Sequence, residues 1–294
     1  MSDSDDPTGS AGPALLGRYR LRDRIGRGGS SVVYRAATAA AGPAPVGCPV
    51  AVKIADPERR DDPATTDAFL AQAGISAGVD HPNVLPVLDS GEVDGLPFLV
   101  MPLVEGIDLA RRLAATELAA TAALRICAAV AAGLDAVHDD GVLHLDVKPA
   151  NVLLGRLRWA PGCALPADVA DAVVLTDFGC GARQDTPSVP EYFVGSPRYA
   201  APERLLGETV GPGADVYSLT CVLYACLAGR PPYVGDVPSV VTGHLGGVAP
   251  SLAALTGLPA ALDDVIATGL ATDPADRVAR CTDLVGAAGE ALAA

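Results

Sequence analysis

The segment His144-Leu145-Asp146-Val147-Lys148-Pro149-Ala150-Asn151-Val152-Leu153-Leu154 decides the fold of this chain. It places a carboxylate, an ammonium and a carboxamide within six positions, and an apolar, strand-like run follows directly. Transfer of a phosphoryl group to a hydroxyl needs a group that accepts the hydroxyl proton, a cation near the transferred phosphate and an oxygen ligand for Mg²⁺. Asp146, Lys148 and Asn151 supply one of each.

A second acidic residue lies downstream, where another apolar run ends. Thr176-Asp177-Phe178-Gly179 follows the run Ala172–Leu175. A carboxylate at the end of a buried strand is a suitable oxygen ligand for a hard cation. Asp177 is therefore the candidate for the main Mg²⁺ ligand, with Asn151 as the second.

Upstream, a glycine-rich stretch separates two β-type runs: Ile25-Gly26-Arg27-Gly28-Gly29-Ser30-Ser31-Val32-Val33. Glycines let the backbone of a hairpin lie close to phosphates. Ser31 stands where a GxGxxG pattern has its third glycine, and the following strand-like run argues against a dinucleotide-binding fold. Taken alone, the stretch fits a purely structural hairpin equally well.

The strand-like run Val50-Ala51-Val52-Lys53 ends in one of only two lysines, the other being Lys148. Lys and Arg together number 21, which leaves 21 − 2 = 19 arginines. In a sequence that uses arginine so heavily, a retained lysine indicates a need for a compact charge on a flexible stem. The alternative is a solvated lysine at the end of a strand, and the scarcity of lysine weighs against it.

The pattern along the chain changes near residue 105. Short β-type runs alternate with turns from Tyr19 to Leu103, interrupted by one helical stretch over Pro63–Ala77. Ala- and Leu-rich helical patterns dominate from Leu109 onward. The prediction is an α+β fold with a β-rich part followed by a helical part. The predicted strands are Tyr19–Ile25, Ser31–Ala36, Pro49–Ile54, Val84–Asp89 and Pro97–Met101, and the predicted helices are Leu109–Ala114, Glu117–His138, Ala214–Ala228, Pro238–Leu245, Ala260–Ala271 and Thr282–Ala293.

These elements resemble the protein-kinase signature set and follow one another in the same order. The set consists of the Gly-rich loop, the VAVK strand, the catalytic loop, the DFG segment and the APE segment. Gly195–Glu203 (GSPRYAAPE), Asp215–Leu219 (DVYSL) and Asp273–Arg277 (DPADR) extend the match, which runs from about Tyr19 to Ala293. The chain is most similar to bacterial Ser/Thr kinases of the actinobacterial type. The resemblance implies a bilobal protein-kinase-like fold, with a small β-rich N-lobe over about 18–102 and a larger helical C-lobe over about 105–294. It also implies a structural ion pair between Glu203 and Arg277.

The resemblance implies a role for each candidate site residue. Lys53 holds the α- and β-phosphates of ATP, Asp146 accepts the proton of the substrate hydroxyl, and Lys148 lies near the γ-phosphate. Asn151 and Asp177 hold Mg²⁺ (or Mn²⁺). Pro102 and Val104 form the hinge that binds the adenine through its backbone. The full set of implied nucleotide-binding residues is Ile25, Gly26, Gly28, Gly29, Val33, Ala51, Lys53, Met101, Pro102, Val104, Leu153 and Asp177.

The chain departs from the family pattern at several positions. Gln72 occupies the place of the glutamate that pairs with the strand lysine, and a neutral hydrogen bond is weaker than a charge-assisted one. Leu145 replaces the arginine that meets a phosphorylated activation loop, so activity is expected to depend less on Thr186 and Ser188. The Gly155–Asp171 stretch looks like a loop insertion in the C-lobe, a surface excursion rather than a partner-binding loop.

Three functions are compatible with these motifs. The leading one is a non-specific Ser/Thr protein kinase that transfers phosphate from Mg-ATP to protein hydroxyls. The alternative is a pseudokinase, a nucleotide-binding scaffold, which Gln72 and Ser31 favour and the complete catalytic loop opposes. A small-molecule phosphotransferase is disfavoured, because Lys148-Pro149 and Ala201-Pro202-Glu203 are typical of kinases that act on peptides.

Composition limits the partners and the compartment. The 294 residues carry a net charge of −14, which argues against nucleic acid or an anionic membrane as main partner. Residues 1–17 are expected to be a disordered leader without a secretory signal. Leu118–Val137 is apolar but carries charges, so it is expected to be a buried helix and not a membrane span. The seven cysteines show no metal-type spacing, and the expected location is the reducing cytoplasm.

Overall fold

The computed structural model describes residues 15–28, 31–56, 58, 69, 79–158, 168–178, 181–183 and 196–294. The chain divides into two compact units. The first unit draws on the residues up to Asp80, on 85–106 and on 155–172. The second comprises 81–84, 107–154 and 173–294.

The first unit is built on a largely antiparallel sheet. Its central pairings run β1–β2–β3–β4–β6, with β5 also paired to β6, and β8 and β9 continue the sheet beyond β6. The short strands β7 and β10 pair with each other in a separate two-stranded sheet. The strands are β1 Leu15–Leu16, β2 Tyr19–Arg27, β3 Ser31–Thr38, β4 Pro49–Ala55, β5 Asp89–Val93, β6 Leu96–Asp108, β7 Val142–Leu143, β8 Val152–Arg158, β9 Asp168–Leu175 and β10 Ala182–Arg183.

Alternation of side chains along β3 and β4 explains why these segments are strands. One face of the sheet packs into a core that includes Val32, Tyr34, Val50 and Val52. β-branched and aromatic residues suit such a pleated, buried surface. The residues between them on the same strands therefore point to the opposite face, where Val33, Ala51 and Lys53 lie.

The second unit is helical. Its core contains buried residues of the long helix over Ala120–Asp139, such as Leu134, and of the helix over Pro212–Ala228, such as Leu219 and Leu223. The helix over Cys281–Ala293 packs against both. The helices of the described chain are α1 Leu109–Ala115, α2 Ala120–Asp139, α3 Pro202–Leu206, α4 Pro212–Ala228, α5 Val237–Gly246, α6 Leu252–Thr256, α7 Ala261–Gly269 and α8 Cys281–Ala293.

Helix α2 tests the expectation for the apolar stretch Leu118–Val137. Among the described residues it alone has the length and composition of a membrane span, and half of its most apolar window is buried. Ala123, Cys127 and Val130 on one face are fully buried in the core. The expected buried helix is therefore confirmed.

Several predicted element boundaries were wrong. The run Val84–Asp89 contains Pro86, which cannot donate to a ladder, and the strand begins only at Asp89. Leu15–Leu16 form β1, within the stretch expected to be a disordered leader. The helical prediction Pro63–Ala77 lies outside the described residues, except for Phe69.

The insertion differs most from its prediction. It was expected to be a loop on the C-lobe, yet its described ends are the strands β8 and β9, and residues 155–172 belong to the first unit. Gly155 explains the close approach of β8 to β6, because a Cβ at this position would lie 2.7 Å from the Cα of Gly106. Residues 159–167 lie outside the described part of the chain.

Candidate active site

The sheet of the first unit brings five predicted nucleotide-binding residues to one face. Across the strands, Gly26 pairs with Val33, and Val33 pairs with Lys53. Ala51 pairs with Met101 on the next strand. Residues that are paired across strands share a face of the sheet. The side of the sheet opposite the apolar core therefore carries a glycine hairpin, three apolar side chains and one lysine.

Lys53 is buried, with 8% of its surface exposed. Its Nζ lies 5.6 Å from the centroid of the Phe69 ring, within the range of a cation–π contact. Lysine is almost never this buried unless it is paired. Its location contradicts the alternative of a solvated lysine at the end of a strand. Gln72, its expected partner, lies outside the described residues.

The structure also locates the other predicted nucleotide-binding residues, apart from Gly29. The Gly28 N–H donates to the Ser31 carbonyl at 2.8 Å and closes the turn between β2 and β3, whereas Gly29 lies outside the described part. Ile25 is half-buried on β2. Pro102 and Val104 lie on β6, with Pro102 paired to Val50. Leu153 is a half-buried residue of β8 in the second unit.

The catalytic loop of the second unit brings its three predicted polar residues together. The Lys148 ammonium donates to Asp146 Oδ2 at 2.6 Å. Asn151 Nδ2 donates to the same carboxylate oxygen at 3.0 Å and to the Asp146 carbonyl at 2.8 Å. Because the amide nitrogen is used in this way, the Asn151 Oδ1 is turned away from Asp146. The loop thus fixes the carboxylate and presents an amide oxygen.

Asp215 of α4 binds the backbone of this loop through its carboxylate. Its two carboxylate oxygens accept the N–H groups of His144 and Leu145, each at 2.8 Å. His138 Nε2 lies 2.9 Å from the same carboxylate. Burial alone would raise the pKa of Asp215, but the hydrogen bonds from His138 and His144 outweigh it, and this pKa lies below its ordinary value. The carboxylate therefore stays ionised inside the core.

Leu145 has a left-handed backbone with φ of 61°, which is rare for a bulky residue. Its N–H is held by Asp215, and its carbonyl accepts a hydrogen bond from Arg204 of α3. Its side chain is buried in a cluster with Ala201 and Tyr217. Strain of this kind persists only where the surroundings fix it, and it concentrates at functional sites. The strain lies beside Asp146.

The Asp177 segment is attached directly to the catalytic loop. The Thr176 N–H donates to the Asn151 carbonyl at 2.9 Å. His144 Nε2 lies 3.2 Å from the Thr176 carbonyl, and its ring packs 4.5 Å from that of Phe178. Burial lowers the pKa of His144, so its ring is neutral at pH 7. Asp177 itself has a left-handed φ of 69°.

The side chains of this unit fit a hard divalent cation. Asn151 offers an amide oxygen and Asp177 a carboxylate, and the hydrogen bond from the Thr176 N–H to the Asn151 carbonyl places the residue before Asp177 next to Asn151. Oxygen ligands of these kinds, without thiolate or imidazole, suit Mg²⁺ or Mn²⁺. The donor set therefore agrees with the predicted pair of metal ligands.

A different cluster also contains ligand-type atoms, namely Asp135, His138 and Cys281. Asp135 accepts hydrogen bonds from Cys281 N–H at 2.8 Å and from the N–H and hydroxyl of Thr282. Burial raises the pKa of the Cys281 thiol, which disfavours the thiolate that a metal needs. The cluster is a cap that ties the start of α8 to α2.

The predicted ion pair between Glu203 and Arg277 is confirmed. Two parallel hydrogen bonds join the guanidinium to the carboxylate, at 2.7 and 2.9 Å. Arg277 also donates to three main-chain carbonyls, and its guanidinium stacks over the Tyr217 ring at 4.9 Å. Both side chains are buried.

Sequence reasoning assigned no role to three residues that support the site. Asp215 and Arg204 hold the catalytic loop from the helices α4 and α3, and Phe69 lies under Lys53. A sequence signal existed for Asp215, because it is a lone carboxylate at the start of the buried apolar helix α4. A buried charge in such a helix needs partners, and two backbone N–H groups supply them. Nothing in the sequence indicates the partner of Arg204.

The fold and the site together define a protein of the kinase class, with an antiparallel sheet that carries a buried lysine and a helical unit that carries the catalytic loop. Residues 19–284 match the family described as the protein kinase domain, and the chain belongs to this family. The crystal structure of the M. tuberculosis PknI kinase domain superimposes with a TM-score of 0.73 at 30% identity, covering 97% of this chain and 99% of that chain.

Curated relatives point in the same direction. Serine/threonine-protein kinase PknH of Mycobacterium tuberculosis (strain ATCC 25618 / H37Rv) is 38% identical over 99% of this chain. Serine/threonine-protein kinase PknE of the same strain is 37% identical over 95% of it. The chain spans less than half of the length of these relatives, 44% of PknH and 47% of PknE.

Proposed function

We propose that this chain is an active Ser/Thr protein kinase that transfers the γ-phosphate of Mg-ATP to a protein hydroxyl. The observation that carries the proposal is the catalytic loop. Lys148 and Asn151 both bind the Asp146 carboxylate, and the backbone of the loop is locked by Asp215. These contacts hold the side chains that the transfer reaction needs.

In the proposed mechanism Asp146 orients the substrate hydroxyl and accepts its proton. Lys148, hydrogen-bonded to Asp146, neutralises charge that develops on the transferred phosphoryl group. Asn151 and Asp177 hold the Mg²⁺ ion, which when bound neutralises the phosphate oxygens. Lys53 binds the α- and β-phosphates, and Val33, Ala51 and Met101 contact the adenine.

The pseudokinase remains the second candidate, because Gln72 and Ser31 depart from the family pattern. Two observations support activity instead. Lys53 is buried, with its Nζ 5.6 Å from the centroid of the Phe69 ring. The polar residues of the catalytic loop are present and mutually hydrogen-bonded. A nucleotide-binding scaffold needs Lys53 but has no need of the hydrogen-bonded catalytic loop.

Incorporation of labelled phosphate from ATP into a protein substrate tests the proposal. Asp146→Asn preserves shape but removes the base, and we expect a loss of at least about 100-fold in kcat. Lys53→Ala should abolish activity, and chelation of Mg²⁺ should do the same. Asp140→Asn, an exposed change of the same type at the end of α2, is the matched control. An unchanged rate in Asp146→Asn would refute the mechanism, and ATP binding without transfer in the wild type would support the pseudokinase.

A further inference from the structure

Positive charge is concentrated on β2, although the whole chain has a net charge of −14. Residues 18–27 hold five arginines and a single acidic residue, Asp23, which gives this stretch a charge of 5 − 1 = +4. Three of the arginines, Arg20, Arg22 and Arg24, are exposed on the strand. Like charges so close together repel one another, so this strand favours an anionic partner.

The acidic side chains that pair with arginines near β2 use other arginines than these three. The ion pairs are Asp23–Arg35 at 3.2 Å, Asp89–Arg18 at 3.5 Å and Asp56–Arg27 at 3.6 Å. Within the part of the chain that the structure describes, Arg20, Arg22 and Arg24 make no ion pair. Their charges are therefore available to a partner.

The same strand has an open edge. On one side β2 pairs with β3 along its length. On the other side β1 pairs with it only at Tyr19 and Arg20. From Leu21 to Arg27 no further strand of the described chain lies on this outer side. Such an edge presents unpaired N–H and C=O groups, to which an extended peptide can add as a new strand.

The arginines lie on both faces of the sheet beside this edge. Arg20 pairs with Ala37 of β3, whereas Arg24 pairs with Tyr34, and the register shifts between Leu21 and Arg24. Residues that pair across strands share a face, and positions three apart on one strand point to opposite faces. The side chains of Arg20 and Arg24 therefore flank the open edge, one on each face of β2.

We propose that the outer edge of β2, from Leu21 to Arg27, binds an extended acidic segment of a partner protein. Successive side chains of an added strand point to alternate faces. A run of neighbouring carboxylates therefore meets Arg20 on one face and Arg24 on the other, and guanidinium groups bind carboxylates through paired hydrogen bonds. This surface is a docking site in addition to the proposed phosphate transfer and does not depend on it.

The edge and the charges together identify the partner as a polypeptide. Only a polypeptide supplies the alternating N–H and C=O groups that complete a strand edge, whereas nucleic acids and lipid headgroups do not. The net charge of −14 also repels an extended polyanion that reaches beyond this strand. Arginines on the edge repel basic strands, so an acidic strand is the one that this surface accepts.

Fluorescence anisotropy of a labelled peptide tests the proposal on the full chain. The probe is a short peptide of glutamate and valine, with glutamates on both faces of its extended form. Arg20→Gln/Arg24→Gln should raise its Kd about tenfold at low salt. Arg111→Gln/Arg125→Gln is the matched control, because it removes the same charge from exposed positions of α1 and α2 and should change the Kd by less than about twofold. The same peptide with glutamine in place of glutamate should bind at least about tenfold more weakly than the glutamate peptide.

A fully N-methylated form of the glutamate peptide separates strand addition from simple charge attraction. It keeps the charge but has no N–H donor, and it should bind at least about tenfold more weakly. Hydrogen exchange should show protection of amides within residues 21–27 when the unmodified peptide is bound. Equal Kd values in the wild type and Arg20→Gln/Arg24→Gln, or the absence of peptide binding, would overturn the proposal. Equal binding of the N-methylated peptide, or equally good competition by a single-stranded DNA oligonucleotide, would also overturn it by showing a non-specific polyanion surface.

Discussion

Leu145 affects whether the catalytic loop depends on phosphorylation for its order. Where many kinases have an arginine that binds a phosphorylated loop, this chain has an apolar side chain that packs in a cluster with Ala201 and Tyr217. Its backbone is held at both ends, by Asp215 and by Arg204. The loop is thus ordered by burial and main-chain hydrogen bonds, neither of which requires a phosphate.

The first prediction follows from this packing. The double variant Thr186→Ala/Ser188→Ala should keep its kcat within about threefold of the wild type, because Leu145 has no guanidinium that could bind a phosphate on the loop. The measurement is phosphate incorporation after phosphatase treatment of both proteins. Leu145→Arg is the contrasting variant, because it places a charge in the apolar cluster and should lower stability. Near-complete loss of activity in the double variant would contradict the prediction.

The Glu203–Arg277 pair gives a second prediction at the residue scale. Arg277→Met leaves the Glu203 carboxylate buried and without its partner, and breaking such a pair costs about 3–5 kcal/mol. Urea unfolding at pH 7 measures this loss. Arg111→Met is the control, because the Arg111 side chain is 68% exposed in its pair with Asp108, and we expect a change within about 0.5 kcal/mol. Similar unfolding midpoints for both variants would show that the buried pair is dispensable.

Among the elements, β8 depends on a close approach between two backbones. A Cβ on Gly155 would lie 2.7 Å from Gly106 Cα and collide with the Glu105 carbonyl, at a φ of +158° that few other residues adopt. Gly155→Ala should therefore destabilise the protein by about 2 kcal/mol or more. Gly286→Ala on α8 is the control, with open space around its Cβ, and should be neutral or slightly stabilising. Urea unfolding compares the two, and equal stabilities would contradict the role of Gly155.

The helices and strands differ in how well the sequence predicts them. The helices α2, α4 and α8 were predicted to within a few residues, because each buries a continuous apolar face. The extensions of β8 and β9 into the insertion were missed, since the pairing of β8 with β6 joins distant segments and Gly155 resembles a loop residue. The predicted strand Pro97–Met101 lies within β6, but the first strand of the hairpin was misplaced, although the turn Asp94-Gly95 has φ angles of 52° and 76°, as a type I′ turn requires. That Asp-Gly pair was a usable signal.

For the site as a whole, sequence identified the residues with chemistry and missed those that hold them. Asp146, Lys148 and Asn151 stand in one short motif, because the reaction needs these side chains within a few ångströms. The supports of the loop, Asp215 and Arg204, lie 70 and 59 positions from Leu145. Only the folded helices bring them close. Motif spacing therefore reports local chemistry, whereas anchoring depends on tertiary structure.

At the scale of the whole molecule, stability should decrease as the medium is made acidic, even above the range in which carboxylates titrate. Burial lowers the pKa of His244 to about 4 and also lowers the pKa of His144. Their ordinary value is about 6.5. Between these values the unfolded chain binds protons that the folded chain does not bind, so stability is fully present above pH 6.5 and declines as the pH falls toward 4.

The contribution of His244 can be isolated. Its pKa shift corresponds to a loss of about 2 kcal/mol in unfolding free energy between pH 7 and pH 5. His244→Gln cannot titrate, so its loss over the same interval should be smaller by about that amount, while the share due to His144 remains in both proteins. Urea unfolding at the two pH values gives the difference directly. The lowered pKa of Asp215 contributes only at lower pH, because a carboxylate with a depressed pKa stays ionised throughout this interval. An identical pH dependence in wild type and His244→Gln would mean that His244 is protonated in the folded protein, against its burial between α4 and α5.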